Sequence, residues 1–366
     1  MKMALRAIAV CTVISRALAA DITTREFEFK DDDGRVYSAR LSLPDAPART
    51  GVTVLLIGGG SAFDLHWTLP GSYSIDDVET RCTIDGKPTR DADRIAGELA
   101  SAGFVVMQWG LIHRDDAKAK ENPALAEGLP FPRSRELTRL ALRELRWQPE
   151  VDGTRIVLIG YSLGATRACQ IADDGVIGFV LLAGAYLSHT STSPRAMATQ
   201  AATKLGLGEA AHESVDREQY ERLRADPAMG SQLTADFESV DRDGDGRARA
   251  WELAAAMQLH DDAAGVPGWR SDKMQFSGSE WPSQVLVKRR LPTLAISGGL
   301  DPISVHAPLL AREARGSGDT DWLTVLCLRD LGHMLSAERD GLCGPMSDAV
   351  IDAVRIWMVK HFGSRP

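Results

Sequence analysis

Gly160-Tyr161-Ser162-Leu163-Gly164 stands between a short β-branched run, Arg155-Ile156-Val157-Leu158-Ile159, and a segment of helical character, residues 165–172. The run before the motif is typical of a buried parallel strand. A serine between such a strand and a helix lies on a sharp turn, and the flanking glycines let neighbouring backbones approach where a Cβ would clash. This placement lifts the hydroxyl clear of the sheet. We therefore predict that Ser162 is a nucleophile rather than a serine of a surface turn.

A nucleophilic serine needs a base to accept its proton, and the base needs a third group to orient it. His333 follows the final predicted strand and precedes the final predicted helix, which places it at the carboxyl edge of the sheet. Asp301 is the only carboxylate directly after the strand predicted at Pro292–Gly298, although it could instead cap the helix that follows. His306, in that helix, is a weaker alternative for the base. The preferred set is Ser162, Asp301 and His333.

A glycine-rich loop, Gly58-Gly59-Gly60-Ser61-Ala62-Phe63-Asp64, follows the strand predicted at Val52–Gly58. Backbone N–H groups in such a loop can face the substrate and stabilise the charge that develops on its carbonyl oxygen. We predict an oxyanion hole formed by the N–H groups of Leu163 and Gly60, with Gly59 as the next candidate. The alternative is a phosphate-binding loop, but the sequence contains neither Gly-Lys-Ser/Thr nor GxGxxG.

Most of the chain alternates strands with helices, which predicts an α/β fold with a mostly parallel central sheet flanked by helices on both faces. It opens with an antiparallel hairpin around Asp32-Asp33-Gly34. Reactive residues in such sheets gather at the carboxyl ends of the strands. Besides the two strands named above and the run before Ser162, the predicted strands are Phe104–Trp109, Gly178–Gly184 and Trp322–Leu328. The predicted helices are Ala92–Ala102, Arg135–Trp147 and Asp348–His361.

One polar segment, residues 187–288, interrupts this alternation with helical character and no convincing strand. Its position between two predicted strands of the sheet indicates an insertion into a single domain. We predict that residues 20–186 and 289–366 form the core and that residues 187–288 form a helical cap over the active site.

The chain, apart from its N-terminus and much of the cap, resembles the α/β-hydrolase superfamily, and within it bacterial carboxylesterases and dienelactone-hydrolase-like or serine-aminopeptidase-like members. Three stretches carry the resemblance: residues 57–64, residues 160–164, and Pro292 to Asp301 followed by Gly332-His333. The chain order Ser, Asp, His is the one expected of this fold. Many members have His-Gly in the oxyanion loop, where this chain has Ile57-Gly58.

This resemblance implies a serine hydrolase that needs no cofactor for catalysis, and it does not name the substrate. A carboxylic ester is the expected substrate, because it has a good leaving group and the superfamily favours it. Amides or peptides, as in the aminopeptidase-like members, and thioesters are alternatives for the same triad. An alternative of another class is a catalytically inactive calcium-binding module on a hydrolase scaffold, which the intact Ser, Asp and His disfavour.

A second motif lies within the cap, where residues 241–252 match the twelve-residue calcium loop of EF-hand proteins. Gly246 occupies the sharp turn of the loop. Ala248 occupies a position at which an aliphatic residue usually pairs with a second loop, and no partner loop is visible in the sequence. We predict a structural Ca²⁺ that stiffens the cap; the alternative is an acidic, solvated turn between helices. The predicted ligands are Asp241, Asp243, Asp245, Arg247 through its carbonyl, and Glu252.

Residues 1–19 resemble an export signal. Lys2 and Arg6 precede a short apolar run, and Ala17-Leu18-Ala19 resembles a small-residue cleavage site. The apolar run is shorter than the ~20 residues that span a bilayer. We expect cleavage after Ala19 or Ala20 and a periplasmic or secreted protein without a stable membrane span.

The composition restricts the partners of the protein. The net charge is −8 and no basic stripe is present, which disfavours nucleic-acid binding. The expected partner is a small ester-type molecule, and the sequence does not indicate the oligomeric state. Among the five cysteines, Cys169 and Cys327 are predicted to be buried thiols, and Cys82 and Cys343 are the pair that could form a disulfide.

Overall fold

The structure of the protein is a computed structural model. The structure describes residues 21–60, 63–70, 72–75, 78–113, 129–184, 214–225, 236–241, 244, 246–249, 252, 282–299, 301, 310–311, 314–315, 318, 320–339 and 342–363. The expected export signal lies outside these residues.

In the described residues, the centre of the molecule is an eight-stranded sheet. Its strands are Ile22–Lys30 (β1), Val36–Pro44 (β2), Thr53–Ile57 (β3), Val105–His113 (β4), Ile156–Tyr161 (β5), Val176–Leu182 (β6), Thr293–Gly298 (β7) and Leu323–Leu328 (β8). They lie in the order β1-β2-β4-β3-β5-β6-β7-β8. The two strands of the predicted N-terminal hairpin, β1 and β2, pair antiparallel, and β2 pairs antiparallel with β4. All other neighbours in this sheet are parallel. The prediction of a mostly parallel sheet is therefore confirmed.

Helices cover the sheet in two groups. Helix α1 contacts α5, whereas α2 contacts α3 and α3 contacts α4. Every residue of β3, β5 and β7 is buried, because side chains that alternate between the two faces of the sheet meet helices on either side. These buried strands form the rigid base on which the loops at their carboxyl ends are held. The helices are Asp91–Ser101 (α1), Phe131–Arg146 (α2), Leu163–Ile171 (α3), Pro282–Arg289 (α4) and Asp348–Phe362 (α5).

Two cysteines test the predicted burial of this sheet. Cys169 is buried on α3, as predicted, but Cys327 is exposed, and the prediction of a buried thiol there is wrong. The cause is the position of β8, which is the last strand in the order of the sheet and has only β7 beside it. An apolar run therefore indicated a strand without indicating that the strand lies at an edge.

The predicted cap contains short strands, so the expectation of a segment without strands is wrong. Ser214–Asp216 pairs antiparallel with Arg247–Arg249. Each strand is three residues long, too short for the alternation of apolar and polar residues that signals a strand. The helices Arg217–Ala225 and Phe237–Val240 accompany them. A small apolar cluster lies between these elements and consists of Val215, Tyr220, Phe237, Val240 and Ala248, all buried.

Two further short antiparallel pairs lie in loops of the core. One joins Ser72–Ile75 to Val78–Arg81, and the other joins Glu338–Arg339 to Leu342–Cys343. In the described part of the chain, every helix is too short or too polar to cross a lipid bilayer.

Candidate active site

The turn after β5 has the backbone geometry that the glycine motif predicts. Ser162 lies at φ 52° and ψ −123°, a conformation that costs a residue with a side chain about 1–3 kcal/mol. A Cβ on Gly160 would lie 2.4 Å from the carbonyl oxygen of Gly164, and a Cβ on Gly164 would lie 2.2 Å from that of Ile57. Because both clashes are with backbone atoms, only glycine fits at either position. The strained turn is thus packed tightly between β3 and α3.

The structure brings the three predicted side chains of the triad together. Ser162 Oγ lies 3.1 Å from His333 Nε2, although the two residues are 171 positions apart in the chain. His333 Nδ1 lies 3.0 Å from Asp301 Oδ2. The residues follow β5, β8 and β7, so all three stand at carboxyl ends of parallel strands. His306, the weaker alternative for the base, lies outside the described residues.

Burial differs between the base and the carboxylate, since Asp301 is fully buried and the His333 side chain is 29% exposed. A carboxylate only accepts hydrogen bonds, so the tautomer of His333 that suits this geometry has its proton on Nδ1 and leaves Nε2 to accept the proton of Ser162. This arrangement can activate a serine for attack on a carbonyl carbon and stabilise the imidazolium that results.

Tyr161, the residue before the nucleophile, links the strand of the serine to the loop of the base. Its hydroxyl donates to the backbone carbonyl of His333 at 3.1 Å. Its ring lies 5.7 Å from the His333 ring and stacks on Trp67 at 6.1 Å between centroids. This role of Tyr161 could not be predicted from the sequence, because nothing in the motif distinguishes it from any other aromatic residue.

The glycine-rich loop after β3 lies directly against the nucleophile. A Cβ on Gly59 would lie 3.0 Å from Ser162 Cβ and 2.8 Å from the Tyr161 ring. Gly60 has φ 66°, in the left-handed region that favours glycine. Leu163 begins α3, so its N–H belongs to the first turn of that helix. The structure therefore places Gly59 against the nucleophile and Leu163 at the start of the helix that follows it.

Arg167 is a residue of this region that sequence reasoning missed. It lies on α3, is fully buried, and donates to the carbonyl oxygens of Gly58 at 2.5 Å and Gly60 at 2.8 Å. Burial lowers the pKa of Arg167 to about 9. The available signal was an arginine within the otherwise apolar stretch of a helix expected to pack on the sheet.

A cavity of about 240 Å³ opens beside the glycine loop. Most of its wall is apolar, and two carboxylates, Asp64 and Asp91, also line it. Burial raises the pKa of Asp91, which accepts the N–H of Met346 at 3.0 Å. The remaining lining residues are Gly59, Gly60, Phe63, Trp67, Thr68, Leu69, Pro70, Tyr161, Met334 and Met346.

The calcium-type loop is described only in part. Asp241 accepts the N–H of Gly246 at 2.9 Å through Oδ2, Glu252 is fully buried, and Arg247 begins the short strand of the cap. Asp243 and Asp245 lie outside the described residues. Within the described residues, which omit these two, no group of three or more His, Cys, Asp or Glu side chains is placed to hold a metal ion.

This loop has a partner that the sequence did not reveal. Ala248 pairs with Val215 across the two short strands of the cap, and both side chains are buried. The segment that pairs with the loop is therefore a three-residue strand, Ser214–Asp216, within the predicted cap. Three residues of pairing are too few to be recognised from sequence alone.

Cys82 and Cys343, the expected disulfide pair, are neighbours through their backbones. The N–H of Cys343 donates to the carbonyl of Cys82 at 3.1 Å. A disulfide between Cys82 and Cys343 therefore stays a prediction. The residue that pairs with Cys343 in this contact is Thr83 rather than Cys82.

Comparison with known proteins agrees with this architecture. Residues 84–226 match the model of the dienelactone hydrolase family, a segment that contains Ser162 and ends before Asp301 and His333. Among solved structures, one from a structural analysis of two esterases of the fungus Rhizomucor miehei matches this chain with a TM-score of 0.50 and 13% identity. The match covers 94% of this chain and 84% of that one. This chain has the α/β-hydrolase fold.

Two further solved structures match with TM-scores below 0.50. The carboxylesterase EstE1 from a metagenomic library matches with a TM-score of 0.49 and 15% identity, covering 95% of this chain and 91% of that one. A dienelactone hydrolase from Anabaena variabilis matches with a TM-score of 0.46 and 12% identity, covering 93% of this chain and 99% of that one. None of the curated proteins compared with this chain matches its sequence.

Proposed function

We propose that this protein is an exported serine hydrolase that cleaves carboxylic esters through an acyl-enzyme on Ser162. The observation that carries the proposal is the continuous hydrogen-bonded series from Ser162 Oγ through His333 to the buried Asp301, with steps of 3.1 and 3.0 Å. The match of residues 84–226 to the dienelactone hydrolase family supports hydrolytic activity.

The proposed reaction has two halves. In the first, His333 Nε2 takes the proton of Ser162 as Oγ attacks the ester carbonyl, and Asp301 stabilises the imidazolium. Backbone N–H groups of Leu163 and the glycine loop hold the negative charge on the tetrahedral intermediate. The intermediate collapses to the acyl-enzyme as His333 passes the proton to the departing alcohol. In the second half, His333 takes a proton from water as the water oxygen attacks the acyl carbonyl. The new intermediate collapses, His333 returns the proton to Ser162 Oγ, and the carboxylic acid leaves.

We propose that the cavity beside the loop, whose lining includes Gly59 and Tyr161 next to Ser162, receives a compact, mostly apolar group of the substrate. Its volume of about 240 Å³ is below the ~300–1,000 Å³ of sites for drug-sized ligands. Aromatic rings of Phe63, Trp67 and Tyr161 form part of its wall. A graded series of acyl esters should therefore be hydrolysed best when the acyl chain is short.

A fluorophosphonate probe tests the nucleophile. We expect the probe to label the native protein and Ser38→Ala, a serine substitution on β2, but not Ser162→Ala. Hydrolysis of aryl esters should follow the same pattern. Equal labelling of the native protein and Ser162→Ala would end the proposed role of Ser162. Absence of both labelling and hydrolysis in the native protein would favour an inactive calcium-binding module.

The type of bond is tested with the same purified protein. Aryl esters, aryl thioesters and aminoacyl anilides are compared by kcat/KM. We expect the esters to be cleaved faster than the anilides, because a phenol is a better leaving group than an aniline. A preference for the thioesters over the esters would identify a thioester hydrolase. A preference for the anilides would instead identify an aminopeptidase-like enzyme that uses the same triad.

Export is a part of this proposal that rests on residues 1–19. The protein is expressed from its full sequence in a bacterium and its mature N-terminus is determined by mass spectrometry of the periplasmic and secreted fractions. We expect the mature chain to begin after Ala19 or Ala20. An intact N-terminus in the cytoplasm would contradict export.

We also propose that the cap binds Ca²⁺ through the loop of residues 241–252. Support comes from the bond between Asp241 and the N–H of Gly246, from the positive φ of Gly244 and Gly246, and from the buried carboxylate of Glu252. Asp241, Asp243, Asp245 and Glu252 would provide carboxylate oxygens, and Arg247 its carbonyl. The ion would neutralise these acids and stiffen the cap, without taking part in the chemistry at Ser162.

Calcium binding is measured by calorimetry and by thermal unfolding with and without EDTA. We expect EDTA to lower the melting temperature of the native protein, and Asp241→Ala to abolish both calcium binding and this effect. An exposed acidic residue of the cap, Glu218, provides the control Glu218→Ala, which should behave like the native protein. A melting curve that EDTA leaves unchanged, with no heat of calcium binding, would contradict the site.

A further inference from the structure

A buried guanidinium fastens the glycine loop to the helix that follows the nucleophile. Arg167 donates to the carbonyl oxygens of Gly58 and Gly60 at 2.5 and 2.8 Å, and to the hydroxyl of Ser134 on α2 at 3.3 Å. Its guanidinium also lies over the Phe63 ring, 5.4 Å from the centroid. One side chain thus holds the first and third residues of the loop from below.

This arrangement is expensive in free energy. Among the described residues, the hydrogen-bond partners of Arg167 are neutral carbonyl and hydroxyl oxygens, and its side chain is fully buried. Taking a cation out of water costs several kcal/mol, which neutral acceptors offset only in part. An apolar residue of similar volume would pack between α2 and α3 without that cost. The guanidinium therefore provides what an apolar side chain lacks, namely hydrogen bonds that fix the carbonyl groups of Gly58 and Gly60.

The direction of the held carbonyls determines where the N–H groups of the loop point. In a trans peptide the C=O and the N–H are antiparallel, and the described chain contains no cis peptide. The carbonyl of Gly58 faces Arg167, so the N–H of Gly59, which shares that peptide, faces away from the guanidinium. Gly59 is also the loop residue packed against Ser162, since a Cβ on it would lie 3.0 Å from Ser162 Cβ.

The charge of Arg167 acts in the same direction as its geometry. A cation at the carbonyl end of a peptide attracts electron density towards the oxygen. The N–H at the opposite end then becomes a stronger hydrogen-bond donor, because the bonds polarise one another in a site of low dielectric constant. A donor prepared in this way is what an oxyanion requires.

We propose that Arg167 is a positioning residue that holds the glycine loop for catalysis, and that the N–H of Gly59, rather than that of Gly60, is the loop donor to the oxyanion. This inference rests on the proposed function. It replaces the preference for Gly60 that the sequence suggested, and it gives a role to a buried charge outside the triad.

The first test compares Arg167→Met and Arg167→Lys with the native protein. The measurements are kcat and KM for an aryl ester, the inhibition constant of a trifluoromethyl ketone, whose hemiketal carries an oxyanion, and the melting temperature. We expect Arg167→Met to lower kcat about 10²-fold, with KM little changed. Inhibition by the ketone should weaken in parallel with kcat. Arg167→Lys keeps the charge and can reach one carbonyl, so we expect a smaller decrease.

Cys169→Ala is the matched control, because Cys169 is also buried on α3 and, two residues after Arg167, lies on the opposite side of that helix. It should lower the melting temperature with kcat and ketone inhibition unchanged. A folded Arg167→Met or Arg167→Lys protein with native kcat would overturn the proposal. So would a Cys169→Ala protein that loses kcat and ketone affinity to the same degree. Loss of activity in Ser162→Ala, measured alongside, keeps the proposed function separate from this result.

The second test separates the two candidate donors. Cell-free translation can place glycolic acid at position 59 or 60, which replaces the backbone N–H with an ester oxygen. We expect the substitution at 59 to lower kcat about 10²-fold and the substitution at 60 to have little effect. The reverse result would assign the donor to Gly60 and contradict the inference.

Discussion

The proposed triad and the proposed calcium loop are built in opposite ways. The triad joins residues that are 171 and 32 positions apart, and the buried strands of the sheet hold them in place. The loop of the cap is contained within residues 241–252, and local bonds such as that between Asp241 and Gly246 shape it. A site assembled by a sheet depends on the whole core, whereas a local loop depends on its own turn and on one neighbouring strand. The two sites should therefore fail under different substitutions.

The largest effect is expected at Asp301, where a substitution changes the triad without changing its packing. Asp301→Asn is nearly isosteric, but the amide can no longer stabilise an imidazolium and can favour the wrong tautomer of His333. We expect kcat to fall about 10⁴-fold with the melting temperature little changed. Steady-state kinetics on an aryl ester measure this. Asp330→Asn, an exposed carboxylate near His333, should retain native kcat, and an equal loss in both variants would argue against a specific role of Asp301.

The next effect concerns the packing that shapes the nucleophile turn. Gly164→Ala places a Cβ 2.2 Å from the carbonyl oxygen of Ile57, so β3 and α3 must separate. We expect a loss of about 3 kcal/mol or more in the free energy of unfolding, together with loss of activity. Urea unfolding followed by fluorescence measures the loss.

Gly97→Ala is the control for that experiment. Gly97 lies within α1, and a Cβ there meets nothing within 4 Å. Alanine is the better helix former by about 1 kcal/mol, so this variant should be more stable than the native protein. If Gly164→Ala were as stable as Gly97→Ala, the tight packing at the turn would not be a requirement of the fold.

The smallest effect on catalysis is expected in the cap. Ala248 is fully buried and pairs with Val215, so Ala248→Asp places a carboxylate in the small apolar cluster. We expect calcium affinity to fall at least about tenfold, as it does when groups supporting metal ligands are removed. Hydrolysis of a short aryl ester should change little. Arg222→Asp, on an exposed position of the cap, should affect neither property, and a large loss of esterase activity in Ala248→Asp would show that the two sites are coupled.

Sequence reasoning predicted the parts of the molecule that rest on local patterns. The strand, turn and helix around Ser162 follow from residue types within a few positions. Asp301 and His333 could be located because residues at the carboxyl ends of parallel strands share one edge of the sheet. The pattern of buried strands was sufficient for the fold.

The features that sequence reasoning missed depend on contacts between distant segments. The exposure of Cys327 depends on the place of β8 at the edge of the sheet, and the pairing of Ala248 with Val215 involves strands of three residues. The contacts of Arg167 with the glycine loop and with Ser134 on α2 join segments that are distant in the chain, so its position in a helix does not specify them. The choice between Gly59 and Gly60 depends on the orientation of a single peptide plane, which residue types do not encode.

The hydrogen bond from the Tyr161 hydroxyl to the carbonyl of His333 has a consequence for motion. Tyr161 is covalently next to the nucleophile, so a displacement of β5 pulls the loop of the base with it. Thermal fluctuations that shift the sheet edge should then move donor and acceptor together rather than apart. The distance between Ser162 Oγ and His333 Nε2 should therefore change less when the sheet moves. Tyr161→Phe removes the hydroxyl that donates to His333, so the serine and the histidine should then move independently.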